Sequence, residues 1–239
     1  MAGRWIPGDG LPGPGSSADR LLDSAERLVA VEGLLGASSR AITLAAGHRN
    51  SNAIAYHFGD RRGLFTAVWF RRTTEIDRHR AREVTALERS GRSADPAALV
   101  AALVVPVAAE LVRRTPSYWA RFNEAVLSGY PLDALTRLES DGAGDPATSL
   151  RALTRTLTLL RAVSAQGREP VASRRVVQVI RTGVTTLACW ERDCDGGLLD
   201  PGSLAGLCAD LVQTGAAVLT APVEERSGAD VADVPGCVA

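Results

Sequence analysis

From Leu21 to Leu219 the apolar residues recur three and four apart, and no segment keeps the alternation of two that a strand requires. That property confines the chain to helices packed on helices. The starts are written locally. Ser16 or Ser17 precedes the first run and Gly59-Asp60 the fourth. Asp95-Pro96, Asp145-Pro146 and Asp200-Pro201 each pair a capping carboxylate with a proline suited to the first helical position. With Thr115-Pro116 and Pro131 as further starts, the pattern predicts an all-α chain of about ten helices.

The expected first helix covers residues 18–31 and stops at Gly33. The second covers 39–46 and turns Ile42, Ala45 and Ala46 inward; Gly47 then supplies a turn. A short third helix over 51–57 buries Ile54 and Phe58, leaving Asn50, Ser51, Asn52, Ala55 and Tyr56 outward. The fourth is long, burying Leu64, Phe65, Val68, Trp69 and Ile76, while its charged second half, Arg71 to Arg82, is expected to span between two parts of the molecule. Pro106, inside the fifth, removes a backbone hydrogen bond and predicts a kink. Beyond it the apolar faces are Tyr118, Trp119, Phe122, Ala125 and Val126, then Leu150 to Leu160, then Val176 to Ala188, then Leu204 to Leu219.

Charge separates the two ends of this pattern. All 27 basic residues are arginine, and the net charge is zero, yet residues 1–82 hold 12 arginines against 8 carboxylates and the remainder 15 against 19. A basic N-terminal part suits an anionic polymer. The four cysteines, Cys189, Cys194, Cys208 and Cys237, have no metal-ligand spacing and read as apolar filler for the first three and a tail thiol, with a thiol sensor or soft-metal site at Cys189, Cys194 and Cys208 as the alternative. No metal or cofactor is expected. No apolar run is long enough for a membrane span, and residues 1–17 lack the apolar core of a signal peptide, so a flexible arm on a cytoplasmic protein is expected. Residues 222–239 read as a disordered tail.

The stretch from Ser38 to Arg62 carries the functional expectation. Two short helices about a glycine turn, the second rich in amides and flanked by arginines, have the form of a helix-turn-helix DNA reader. Asn50 and Asn52 can pair with adenine, Arg49 with guanine or phosphate, and Ser51 and Tyr56 can donate to phosphate oxygens. His57 reads as a packing residue beside Phe58. An ordinary polar turn with a helix cap is the plainer account of Arg49 to Asn52. The flanking helices, the aromatic close and the arginines that follow favour DNA.

On Ala41-Ile-Thr-Leu-Ala-Ala-Gly47 and Tyr56-His-Phe-Gly59 the chain resembles the TetR family of transcriptional regulators. Thr43 stands where that family usually has alanine. The stretch from Gly47 to Phe58 is one residue longer than its commonest pattern, and Ala55 replaces a frequent aromatic. The resemblance implies a three-helix DNA-binding domain, here 18–62, and a helical ligand-binding and dimerisation domain, here 63–221. It gives Arg61 a phosphate contact, and Ser39 joins the DNA-facing set. The implied protein is a homodimeric repressor, not an enzyme, gripping a pseudo-palindromic double-stranded operator at major grooves about 34 Å apart or a modest multiple of that spacing. A small, largely apolar effector would release it.

Trp69, Val104, Val107, Trp119, Phe122, Asn123 and Tyr130 are the expected ligand-pocket residues, with Arg121 and Gln166 as further polar anchors. Val177, Ile180, Val184, Leu187, Leu207, Leu211 and Leu219 are the expected dimer contacts. For each aromatic singly, plain core packing is the simpler account. The rival functions are a DNA-binding regulator without an effector and an all-helical enzyme or carrier for an apolar molecule. All three histidines lie in the N-terminal third, so an enzyme would need carboxylates alone for acid–base work.

Overall fold

Caps that the sequence encodes within a few residues form as expected at Ser16, Asp60 and Asp95, and Ser38 adds one that was not anticipated. Ser16 Oγ accepts from Asp19 N, Ser38 Oγ from Ala41 N, Asp60 Oδ1 from Gly63 N and Asp95 Oδ1 from Ala98 N, opening α1 (Ser17–Gly36), α2 (Ser39–Ala45), α4 (Arg61–Arg89) and α5 (Pro96–Val112). Between them lies α3 (Ala53–Phe58). The structure is a computed structural model describing residues 12–50, 52–129 and 150–223. It continues with α6 (Trp119–Gly129), α7 (Arg151–Val163), a 3-10 turn (Ser164–Gly167), α8 (Val171–Asp195), a second 3-10 turn (Pro201–Ser203) and α9 (Leu204–Thr220). The described residues are all-helical, without a strand. The helices expected at Pro131 and from Asp145-Pro146 begin outside them.

Gly33, at φ 71°, breaks the α1 helix where a stop was expected, and one further turn follows to Gly36. In α2 the buried set is corrected: Ala45 is exposed, and Thr43 is buried instead, its Oγ1 donating to Ser39 O at 2.7 Å. Thr115-Pro116 does not cap α6. That helix starts at Trp119, and its first free amides, Ala120 N and Arg121 N, donate to the Glu191 carboxylate of α8 at 3.2 and 3.0 Å. The α7 amides Ala152 N and Leu153 N likewise donate to Asp77 of α4. These two helices are therefore capped by tertiary contacts.

The charged half of α4 is buried at Arg72, Asp77 and Arg80 and exposed at Glu75, Arg78 and Arg82. Arg72 is buried between Glu26 of α1, at 3.0 Å from Nε, and Glu110 of α5, at 3.1 Å. Arg71 binds Asp19, Asp23 and Glu26. Burial opposes the charge on Arg72, but the bonds and charges of Glu26 and Glu110 outweigh it and hold the guanidinium above its ordinary range. One α4 residue thus joins α1 to α5. A second joint is direct packing of α1 on α6.

Pro106 does sit within α5 and cannot donate to Ala102 O. Arg80 of α4 substitutes: its Nε donates to Ala102 O at 3.2 Å and its Nη2 to Leu103 O at 3.3 Å, while Asp77 holds its Nη1. α9 lies along α5 and α8, and Arg175 of α8 donates to the carbonyls of Leu219, Ala221 and Pro222, tying down the chain as it leaves α9. The segment Pro201–Thr220 is apolar and long enough by composition to cross a membrane, yet it packs on these neighbours.

Candidate nucleic-acid interface and inner cavity

At six residues α3 cannot hold itself in water, and its inner face supplies the anchor. Ala53, Ile54 and Phe58 are buried against α2 and α4, so the helical period turns Asn52, Ala55 and Tyr56 to solvent. Tyr56 is 57% exposed, its ring edge-on to His57 at 4.8 Å. Asn50 accepts from Asn52 N at 2.9 Å through Oδ1, and Asn52 stands at the N-cap with its side chain uncommitted to the cap. Arg49 is exposed with no hydrogen bond or ion pair among the described residues, and Ser39 is exposed at the first position of α2. Ser51 lies outside the described residues.

Arg61 departs from expectation. Its guanidinium turns toward the end of α1, donating to Leu34 O at 3.3 Å and Ala37 O at 3.5 Å, and sits over the Phe65 ring at 5.6 Å. It closes a helix end rather than pointing outward. Arg40 and Arg62, not singled out from the sequence, are exposed and, like Arg49, have no partner among the described residues. Helical phase was the available signal, since Arg62 lies about 100° around the α4 axis from Arg61.

His48 and His57 anchor the unit to α1. The Ser17 hydroxyl lies 3.2 Å from Nε2 of each. Burial, with the charge of His48 beside it, holds the His57 imidazole below the ordinary histidine range. His57 is half-buried, with its ring 6.1 Å from that of Phe58.

Inside the body, α4 to α8 line a partly open cavity of about 150 Å3. Trp69, Val104, Val107, Trp119 and Asn123 line it, as anticipated, together with Thr73, Arg80 and Gly183, which sequence patterns did not flag. Three expectations change. Phe122 is fully buried behind the wall, stacked on Trp119 at 5.8 Å. Arg121 is committed to Glu191 and Asp195, each at 3.1 Å. Gln166 is exposed on the 3-10 turn. Tyr130 lies outside the described residues.

The expected dimer residues divide. Leu187, Leu211 and Leu219 are buried in this chain's own core, and Ile180, Val184 and Leu187 line the cavity, so none of these five is a free surface; Val177 and Leu207 are half-buried. An apolar stripe does not reveal whether its cover is the same chain or another. The exposed faces carry Gln178, Thr182, Thr185 and Cys189 on α8, and Ala205, Ala209, Gln213 and Ala217 on α9. Burial raises the Cys208 thiol, and burial with Asp200 and Asp193 raises that of Cys194; Cys208 is buried, Cys194 half-buried, and Cys189, also expected as filler, is exposed.

No protein-family model matches the chain, and no curated protein is significantly similar to it.

Proposed function

We propose that this chain is a sequence-specific DNA-binding regulator of transcription, working as a cytoplasmic homodimer whose hold on its operator is set by a small ligand in the inner cavity. The observation that carries the reading is α3. A helix too short to stand alone is pinned by Ile54 and Phe58 while it presents Asn52, Ala55 and Tyr56, with unpaired arginines at 40, 49 and 62 around it. The amides suit base edges and the free guanidinium groups suit phosphate. The TetR-like sequence between Ala41 and Gly59 supports the same reading.

One such helix reads too few base pairs for useful specificity, hence the dimer. The small-residue face of α9 and the polar stripe beside it on α8 are the surfaces we assign to it. Coupling would run through packed groups: Trp119 stacks on Phe122, Phe122 meets Phe65 edge-on at 6.2 Å, and Arg61 over Phe65 holds the end of α1. A ligand acts through this path only if it binds one arrangement better than the other. We favour binding over catalysis, since the described cavity wall contains no carboxylate or histidine to move a proton.

Selection from a random DNA pool by the purified protein tests the reading. A pseudo-palindrome should emerge, and replacing Arg49 and Asn52 together should abolish its retention. Recovery of no sequence preference would sink the proposal.

A further inference from the structure

The cavity wall is mostly apolar, and its polar side chains are Thr73, Arg80, Asn123 and Thr154 with the indole of Trp119. Trp119 is 1% exposed, and its indole Nε1 has no hydrogen-bond partner. One helical turn further along α6, Asn123 Oδ1 is also buried without a partner. Residues four apart share a helix face, so the two groups stand together at the same wall. Indole nitrogen can only donate, whereas a side-chain amide can do either. Unpartnered buried polar atoms are rare in native proteins, and two on one cavity wall indicate a polar group that the site is shaped to receive.

Charge and size narrow that group further. Arg80 is the ionised side chain in the described wall, and its nitrogens already serve Asp77, Ala102 O and Leu103 O. A carboxylate or ammonium ligand would lose its water without gaining an uncommitted opposite charge. A volume near 150 Å3 matches a cavity that holds a benzene-sized molecule. A side cavity of about 40 Å3 shares Val104, Val179 and Gly183 with it. At Gly183 an added Cβ would meet nothing nearer than Val104 Cγ2 at 3.9 Å, so a side chain there has room to enter.

We propose that the cavity receives a small uncharged molecule, apolar over most of its surface and bearing one carbonyl-type oxygen that accepts from Trp119 Nε1, with the Asn123 amide turned so that its Nδ2, in place of Oδ1, faces the same polar end. This deepens the regulator reading, taking from it that the cavity is a ligand site.

The test uses the full chain and three probes of one shape class: acetophenone, ethylbenzene and benzoate. Calorimetry should find acetophenone bound about tenfold more tightly than ethylbenzene, the worth of one net hydrogen bond, and benzoate not bound. In protein labelled with 15N-tryptophan, the Trp119 indole N–H resonance should move downfield with acetophenone and not with ethylbenzene. Trp119→Phe should erase the preference while retaining ethylbenzene, and Gly183→Val should exclude both neutral probes without lowering the melting temperature.

Equal affinities for the two neutral probes, tightest binding of benzoate, or a preference that survives Trp119→Phe would overturn the assignment. Should Trp119→Phe fail to fold, an indole resonance that acetophenone leaves in place does the same. None of these measurements involves DNA. Failed operator selection with the acetophenone preference intact removes the regulator reading alone, and the opposite pair of results removes this one alone.

Discussion

Arginine does two different jobs at the two ends of this molecule. In the N-terminal three-helix unit Arg40, Arg49 and Arg62 lie in solvent with no partner among the described residues, whereas in the body Arg72, Arg80 and Arg121 are buried and surrounded by carboxylates and carbonyls. A guanidinium whose acceptors are already inside the chain has little left to offer a ligand. One that has none can take a phosphate. The boundary between the two uses falls between neighbours: Arg61 is turned onto the end of α1 and Arg62 away from it.

Breaking a buried arginine should have the largest effect. Arg72→Met leaves Glu26 and Glu110 short of a partner and should cost about 3–5 kcal/mol in urea unfolding. A loss below about 1 kcal/mol would erase the contrast between the two groups. Replacing Arg40, Arg49 and Arg62 together by Gln should do the reverse. Unfolding free energy should stay within about 0.5 kcal/mol, while operator affinity at low salt drops about a hundredfold and its salt dependence shallows by about one per lost phosphate contact.

Arg61→Gln sharpens the boundary. It should remove about 1 kcal/mol of stability by freeing the carbonyls of Leu34 and Ala37, leaving the salt dependence of DNA binding unchanged; a shallower slope would return Arg61 to the outward group. The smallest effect concerns pH. His57, held low by burial and His48, binds fewer protons folded than unfolded, so its stability contribution is complete above the ordinary histidine pKa and is lost as pH falls through that value toward the folded one. Melting temperature should therefore fall between about pH 7.5 and about pH 5.5, and His57→Gln should flatten that slope.

What the sequence made legible was local. The caps at Ser16, Asp60 and Asp95 depend on a side chain reaching an amide three residues on, and the outward face of α3 follows from a helical period with Ile54 and Phe58 as fixed points. The caps from Asp77 and Glu191 were not legible, because donor and acceptor are at least 70 residues apart in the chain. Pro106 carried half a message: a proline in a helix frees a carbonyl that needs a donor, but only the fold reveals Arg80 as that donor. Leu187, Leu211 and Leu219 misled for the matching reason, since periodicity marks a buried face without naming its neighbour.

The Glu191 cap has a use as a gauge. The amides of Ala120 and Arg121 are satisfied by a side chain on α8 and not by their own helix, so they exchange with solvent deuterium whenever that seam parts. They adjoin Trp119 at the cavity and sit on a helix that touches α1. Two backbone protons thus keep time for the joint between the chamber and the α8–α9 face, readable without any label attached to the protein.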